Sequence, residues 1–219
     1  MKKPTNLLFA LFASLSLTVS PLWAQSPDKA AKQPKIEAAP NVKNFRALQK
    51  LNQQIVSLSK KAQPATVCLV AKNGRGAGSG VIVNQDGLIL TAAHVTSSMP
   101  GEIIVIFPDG TRKEAVSLGA DYDRDAAMVQ IKEPGKYPFV EVGQSKDLKR
   151  NQWTVALGHS GGFDPMRKPP VRLGRVLRNE KFIVTDTAVV GGDSGGPLFD
   201  AEGRVIGIHS NIGVSLMEN

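Results

Sequence analysis

GGDSGGPLF, residues 191–199, holds one serine among four glycines, followed by a proline and an apolar run. Glycine adopts backbone angles that other residues avoid, so such a turn can aim its N–H groups and a serine hydroxyl at one point. Glycine-rich turns also occur as plain flexible connections. The stretch therefore indicates either a flexible turn or a backbone shaped to present Ser194, and the rest of the chain has to decide.

The composition favours an all-β fold. The 219 residues are 42% hydrophobic and 5% aromatic, with 21 glycines, enough for one domain or two small lobes. From Thr66 onward, short runs rich in Val and Ile alternate with turns, and Asp109-Gly110 is a strong hairpin signal. The predicted strands cover 66–72, 79–84, 88–92, 102–107, 114–118, 126–131, 152–157, 170–177, 181–185 and 204–210. Two sets of short strands predict two antiparallel lobes.

The start of the chain is predicted to lie outside these lobes. Residues 1–24 have a basic start, a short apolar run and a small residue at Ala24, typical of a secretory signal peptide. The alternative, a membrane anchor, is disfavoured because the apolar run is short and rich in Ser and Thr. Residues 25–42 are polar and proline-containing, which predicts a disordered linker. Apolar residues at steps of three and four predict a helix over 43–62, ended by Pro64.

Several classes of protein are excluded or disfavoured. Cys68 is the only cysteine, so an exported chain has no internal disulfide and no ordinary Cys/His zinc site. The net charge of +8 comes from scattered basic residues without interleaved aromatics, which predicts a solvated surface and not a nucleic-acid partner. We expect neither a metal nor a cofactor, and no stable membrane span once the leader is removed.

A serine nucleophile needs a general base, and three histidines could supply it. His94 lies at the end of an apolar strand beside two alanines, so other groups can approach its ring closely. A half-buried structural histidine is the ordinary alternative. The imidazole in turn needs a carboxylate to orient it. Asp125 opens the apolar strand 126–131, whereas Asp121 and Asp123 lie in a polar turn and look solvated.

The glycines around Ser194 suit an oxyanion hole. Gly192 has no side chain to block a substrate carbonyl, and its N–H and that of Ser194 can converge on one oxygen. Gly195 and Gly196 allow close approach behind the serine. Given a base and an acid elsewhere, this favours a turn that presents a nucleophile.

Three motifs now occur together and in order: His94 in TAAHV, Asp125 in DRDAAMVQI and Ser194 in GGDSGGP. The chain thereby resembles the trypsin-like serine proteases over about residues 50–219. More narrowly, the stretches 78–95 and 182–200 and the lack of disulfides resemble the HtrA/Deg branch of exported bacterial proteases. The resemblance implies two antiparallel six-stranded-type β-barrels, over 63–135 and 136–219, with an N-terminal helix. The second barrel is expected to lack its last strand and helix, and no PDZ domain is expected.

The resemblance also implies roles. Ser194 would be the nucleophile, His94 the general base and Asp125 its orienting acid, with Gly192 and Ser194 donating the oxyanion N–H groups. The implied activity is that of a periplasmic or extracellular endopeptidase acting on unfolded or misfolded proteins, assembled as a homotrimer. Two alternatives stay open: a non-catalytic binder of unfolded chains, and an esterase or acyltransferase.

Substrate contacts are predicted by the same comparison. Ala188 would form the floor of the primary pocket, and without an acid there we expect no preference for Lys or Arg. Val189 and Val190 predict a small or medium apolar side chain in the substrate. His209 and Ser210 would lie on the strand that pairs with the substrate backbone. His159 is expected in a surface loop, without chemistry, and Asp193 is expected to bond locally, since no Ile-Val-Gly-Gly start exists to pair with it.

Overall fold

The computed structural model describes residues 44–74, 76–98 and 102–210. All of them belong to a single unit of the chain, which extends over 35–219. The predicted signal peptide (1–24) and linker (25–42) lie outside the described residues, and so do residues 211–219.

The first element is the helix α1, Phe45–Ala62, where the sequence predicts a helix over 43–62. Asn44 caps it, its side chain accepting a hydrogen bond from the N–H of Ala47 at 3.0 Å. A single 3₁₀ turn, Gln63–Ala65, follows and contains the proline expected to end the helix. Lys60 and Lys61 in the last turn complement the negative end of the helix dipole.

The apolar face of α1 is divided between two environments. Leu51 and Leu58 are buried, and Leu58 belongs to the main hydrophobic core. Leu48 and Phe45, about one and two turns before Leu51, are 50% and 72% exposed. From Leu51 onward this face of α1 therefore packs on the domain, while the first two turns present apolar surface to the surroundings.

A closed six-stranded antiparallel barrel forms the first lobe, with strand order β1-β2-β3-β6-β5-β4. Closure removes unpaired sheet edges, which suits strands whose side chains are buried on the inner face. The strands are β1 Thr66–Ala71, β2 Ala77–Ile82, β3 Leu88–Thr91, β4 Ile103–Ile106, β5 Arg112–Asp121 and β6 Ala126–Ile131. A short helix, α2 Ala93–Ser97, follows β3.

The second lobe is a five-stranded antiparallel sheet in the described residues, with the order β11-β10-β7-β8-β9. Its strands are β7 Trp153–Leu157, β8 Val171–Asn179, β9 Ile183–Thr185, β10 Pro197–Phe199 and β11 Val205–Ile208. The all-β prediction with an N-terminal helix is confirmed. The three-residue β10 was not predicted, because it directly follows the glycine turn and is too short to show an alternating pattern.

One hydrophobic core joins the two lobes. Val155, Leu157 and Phe199 of the second sheet belong to the same buried cluster as the barrel side chains Leu69 and Ile89. Phe199 and Leu69 are among the largest side chains that are fully buried. Because the lobes share this core, residues at the ends of their strands are held at fixed positions relative to each other.

Candidate active site

Strand pairing brings His94 and Asp125 together. β3 and β6 are antiparallel neighbours with Thr91 opposite Ala127, so the end of β3 lies beside the start of β6. The sequence predicts His94 at the end of a strand. In the structure it lies just beyond the end of β3, in the first turn of α2. Asp125 immediately precedes β6 and adopts a left-handed conformation with φ +50°. Non-glycine residues rarely adopt this backbone, and it turns the carboxylate back toward α2.

Asp125 holds His94 through two separate contacts. Its Oδ2 lies 2.8 Å from the imidazole Nδ1, and its Oδ1 accepts a hydrogen bond from the His94 backbone N–H at 2.9 Å. The ring is therefore fixed relative to its own backbone by one carboxylate. An Nδ1–H that donates to Asp125 leaves Nε2 with a free lone pair, which is the tautomer that a general base requires.

Ser210 completes this group. Its Oγ donates a 2.5 Å hydrogen bond to Oδ2 of Asp125, the same oxygen that faces the ring. Burial raises the pKa of Asp125, but the hydrogen bonds from Ser210 and His94 outweigh this effect, and the pKa lies below its ordinary value. The carboxylate is thus ionised at neutral pH, with its side chain 17% exposed beside a half-exposed imidazole.

Asp121 and Asp123, the alternative acids, do not contact His94. Asp121 pairs with Arg124 at 2.8 Å and accepts backbone hydrogen bonds from Asp123 and Arg124. Asp121 is the last residue of β5, and Asp123 is exposed in the turn that follows.

The serine turn lies against β2, beside the end of β3. The N–H of Ser79 donates to the carbonyl of Ser194 at 2.7 Å. A Cβ built on Gly78 would lie 2.7 Å from Val95, the neighbour of His94, and 3.1 Å from that same carbonyl. The turn and the start of α2 therefore meet across β2, which brings Ser194 to the His94 side of the barrel.

Gly192 and Gly195 give the turn its shape. Their φ values are +93° and +80°, a region that L side chains disfavour. A Cβ on Gly192 would lie 2.5 Å from the carbonyl oxygen of His159, and one on Gly195 would overlap Thr91. Within the described parts of the chain, the N–H groups of Gly192 and Ser194 are not taken up by any hydrogen bond. They are free to bind an oxygen of a ligand.

The expectation that His159 lines a surface loop is wrong. The side chain is only 3% exposed, and its Nε2 lies 3.2 Å from the carbonyl of Thr66. Its backbone N–H donates at 2.8 Å to Ser79 Oγ, which donates at 2.7 Å to the carbonyl of Gly192. The loop is buried because it passes between the first barrel and the serine turn, and this burial lowers the pKa of His159.

The residues predicted to contact substrate occupy different environments. Val189 is buried, whereas Ala188 is exposed and Val190 is 52% exposed. His209 is 9% exposed, and its backbone bonds both Gly195 and Gly196 behind the serine. Ser210 bonds Asp125, so its side chain belongs to the histidine-aspartate group.

Sequence reasoning missed three side chains near the serine: Ser79, Ser160 and Arg172. Asp193 is fully buried, and the expected local bond is the one from the N–H of Val190. Its other partners, Ser160 and Arg172, are distant in the chain. Ser79 ties the turn to β2. Nothing in the local sequence marks Ser160 or Arg172, whereas Ser79 lies in the stretch 78–95 on which the resemblance rests.

The described residues include neither a metal cluster nor a membrane-spanning helix. They contain no group of three or more His, Cys, Asp or Glu side chains arranged to hold a metal ion. Among their helices, none has the length and hydropathy needed to cross a membrane.

Comparison with known proteins agrees with this geometry. The family model of the trypsin-like peptidase domain matches residues 78–208. A protein of Pseudomonas fulva named "Probable periplasmic serine endoprotease DegP-like" is 40% identical over 146 residues, 64% of this chain and 30% of that protein. Proteins with the same name are 39% identical in Halomonas elongata (63% of this chain, 30% of that protein) and 34% in Ectopseudomonas mendocina (81% and 38%).

The chain spans only about a third of the length of these curated relatives. The family model nevertheless covers more than half of the chain, from β2 to β11, and includes His94, Asp125 and Ser194. The chain therefore belongs to the trypsin-like peptidase family.

Proposed function

We propose that this protein is an exported serine endopeptidase that cleaves peptide bonds with Ser194 as nucleophile, His94 as base and Asp125 as orienting acid. The observation that carries the proposal is the double contact of Asp125 with His94, at 2.8 Å to Nδ1 and 2.9 Å to the backbone N–H. A structural histidine needs no such fixing of ring and backbone by one carboxylate, whereas a base that must keep one tautomer does.

The chemistry begins with proton transfer. His94 Nε2 takes the proton of the Ser194 hydroxyl as Oγ attacks the carbonyl carbon of the scissile peptide bond. The imidazolium then protonates the leaving amine, which departs and leaves an ester on Ser194. Water attacks this ester with the same proton transfers and regenerates the free serine. Asp125 stabilises the imidazolium in both steps, and its lowered pKa keeps it charged.

Negative charge develops on the carbonyl oxygen in each step. The N–H groups of Gly192 and Ser194, free of acceptors among the described residues, are the donors that we assign to this oxygen. Gly192 at φ +93° can orient its N–H in a way that another residue could not.

The substrate class follows from the pocket residues and the relatives. Ala188 carries no charge for Lys or Arg, and Val189 and Val190 favour a small or medium apolar side chain before the cleaved bond. Relatives bear the name of a periplasmic endoprotease, and residues 1–24 have the pattern of a secretory leader, which supports action in the periplasm. Unfolded or misfolded proteins, which expose such side chains, are the substrates we propose.

Assembly into a homotrimer is a separate proposal. The exposed apolar side chains of Phe45 and Leu48 on α1 support a contact with another copy. Sedimentation equilibrium of the wild type should give three times the mass of one chain, and Leu48→Ser should shift the protein toward the monomer. A monomeric wild type at micromolar concentration would exclude the trimer.

The test of the activity combines labelling and turnover. The purified protein is treated with a fluorophosphonate, and mass spectrometry locates the adduct, while unfolded casein and a peptide with an apolar residue before the cleaved bond measure turnover. We expect an adduct on Ser194. Ser194→Ala should abolish it and reduce kcat at least about 10³-fold, and Asp125→Asn should reduce kcat by about 10⁴-fold. Ser117→Ala and Asp123→Asn, both at exposed positions, serve as matched controls.

The alternatives give distinct results. A binder of unfolded chains would retain casein without cutting it and carry no adduct. An esterase would turn over a nitrophenyl ester but leave peptides intact. Either pattern in folded protein would contradict the endopeptidase assignment.

A further inference from the structure

A buried carboxylate separates the two residues whose N–H groups we assign to the oxyanion. Asp193 lies between Gly192 and Ser194 in the chain and has no exposed surface. Its Oδ2 accepts a 2.9 Å hydrogen bond from the N–H of Val190. Its Oδ1 accepts one from Ser160 Oγ at 2.8 Å. Any movement of this side chain must therefore move the peptide groups on either side of it.

Arg172 supplies the opposite charge. Its Nη1 lies 3.0 Å from Oδ2 of Asp193, an ion-pair contact without hydrogen-bond alignment. Its Nη2 lies 3.4 Å from Oδ1 and also donates to Ser160 Oγ. The arginine side chain is only 19% exposed. A carboxylate withdrawn from water without such a partner would be strongly destabilising.

One end of this pair lies in the second sheet, and the other lies in the turn that leads into it. Arg172 is the second residue of β8 and lies opposite Ala156 of β7, which in turn lies opposite Leu198 of β10. Asp193 is four residues before the start of β10 at Pro197. Strand register thus holds the cation at a fixed position beside the serine turn.

The space around Asp193 is closely filled on the remaining side. A Cβ on Gly158 would lie 2.6 Å from Oδ1 and 3.0 Å from the Cα of Asp193. The loop that follows is held from outside by Arg167, whose Nη2 donates at 2.5 Å to the carbonyl of Ser160. The carboxylate therefore has one well-defined position, set by Arg172 and Ser160.

We propose that Arg172, together with Ser160, is a positioning residue for the reaction: by fixing Asp193 it aims the N–H groups of Gly192 and Ser194 at the oxyanion. The inference rests on the proposed function, because it assigns a task to the same turn. Arg172 touches neither substrate nor reacting atoms and acts only through Asp193.

The test compares charge removal at two positions of β8. Arg172→Met removes the partner of Asp193. Arg175→Met is the matched control, because its guanidinium stacks 4.1 Å over the ring of Trp153, away from the serine turn. We expect Arg172→Met to lower kcat about 10²-fold, the size of an oxyanion-donor loss, with KM changed less than about threefold. Arg175→Met should keep both parameters. The rate of Ser194 labelling by the fluorophosphonate should fall in parallel with kcat.

Rescue separates positioning from general stability. Asp193→Asn alone leaves the guanidinium buried without a counter-charge and should also lower kcat. The double variant Arg172→Met/Asp193→Asn removes both charges, and we expect its kcat to recover to within about tenfold of the wild type. Ser160→Ala removes one hydroxyl and should cost about tenfold in kcat, also at unchanged KM. Thermal unfolding monitored by circular dichroism shows whether Arg172→Met folds. If it does not, Ser160→Ala is the variant that tests the inference.

The possible negative results distinguish a failure of the proposed function from a failure of this inference. A folded wild type without label on Ser194 would overturn the proposed function and this inference with it. A wild type that is labelled, with Arg172→Met labelled at the same rate, would overturn this inference alone. This inference alone would also be overturned if the losses of kcat in Arg172→Met and Asp193→Asn added up in the double variant. An unchanged kcat in Ser160→Ala would overturn it as well.

Discussion

Ser210 Oγ and His94 Nδ1 approach the same oxygen of Asp125, at 2.5 and 2.8 Å. This shared acceptor links the end of the second sheet to the start of α2 in the first lobe. Two donors on one carboxylate oxygen stabilise its charged form and restrict its rotation.

Ser210→Ala should therefore weaken the site without disrupting it. A hydrogen bond to a charged group contributes about 1.5–3 kcal/mol, so we expect kcat/KM to fall by about 10- to 100-fold. The pKa of Asp125 should rise, because one of the hydrogen bonds that lower it is lost. Peptide turnover measures the first effect. Ser59→Ala, which removes a local hydrogen bond on the exposed side of α1, is the control, and equal losses in both variants would contradict the assignment.

Stability should fall as the pH drops below neutrality because of His209. Burial lowers its pKa from 6.5 to about 4, so the folded protein keeps it neutral where the unfolded chain binds a proton. The unfolded state is then favoured by about 1.4 kcal/mol for each pH unit between 6.5 and about 4. Above pH 6.5 both states are neutral and this penalty is absent.

Urea unfolding at pH 7 and pH 5 measures this dependence. Between these two pH values, the free energy of unfolding of His209→Val should fall by about 2 kcal/mol less than that of the wild type. His159, which is also buried with a lowered pKa, titrates in both proteins and cancels in the comparison. An identical loss in both proteins would show that His209 is not held neutral in the folded state.

Gly158→Ala should destabilise the protein through its contact with Asp193. The added Cβ would lie 2.6 Å from the Asp193 carboxylate, and overpacking of this kind costs about 1–3 kcal/mol. Gly191→Ala is the control, since a Cβ there meets nothing within 4 Å, and its free energy of unfolding should change by less than about 0.5 kcal/mol. Denaturant titration of the two variants would detect the difference, and equal stabilities would contradict the close fit around Asp193.

Cys68 should be unreactive in the folded protein. It lies fully buried in β1, and burial raises the pKa of its thiol to about 11. The thiolate is the reactive form, so a disulfide reagent at pH 8 should label it only after unfolding in urea. Fast labelling of the folded protein would mean that the barrel opens readily around β1.

Much of the architecture could be predicted from the chain alone. The β character, the helix ended by Pro64 and the hairpin at Asp109-Gly110 are local features, set by side-chain periodicity and turn chemistry within a few residues. The predicted strands differ from those observed by a few residues at their ends. The three motifs around His94, Asp125 and Ser194 are also local, and their order along the chain indicated the family that the comparison established.

What the tertiary structure decided is which groups that are distant in the chain meet one another. The pairing of Arg172 with Asp193, the burial of His159 against Thr66 and the hydrogen bond from Ser210 to Asp125 join residues 21, 93 and 85 positions apart. No periodicity or turn signal indicates such partners, because the residues around a charged or hydroxyl group do not show which distant group will contact it in the folded protein. Strand register and the shared core determine these partners. They bring together around the serine turn residues that no local motif marks.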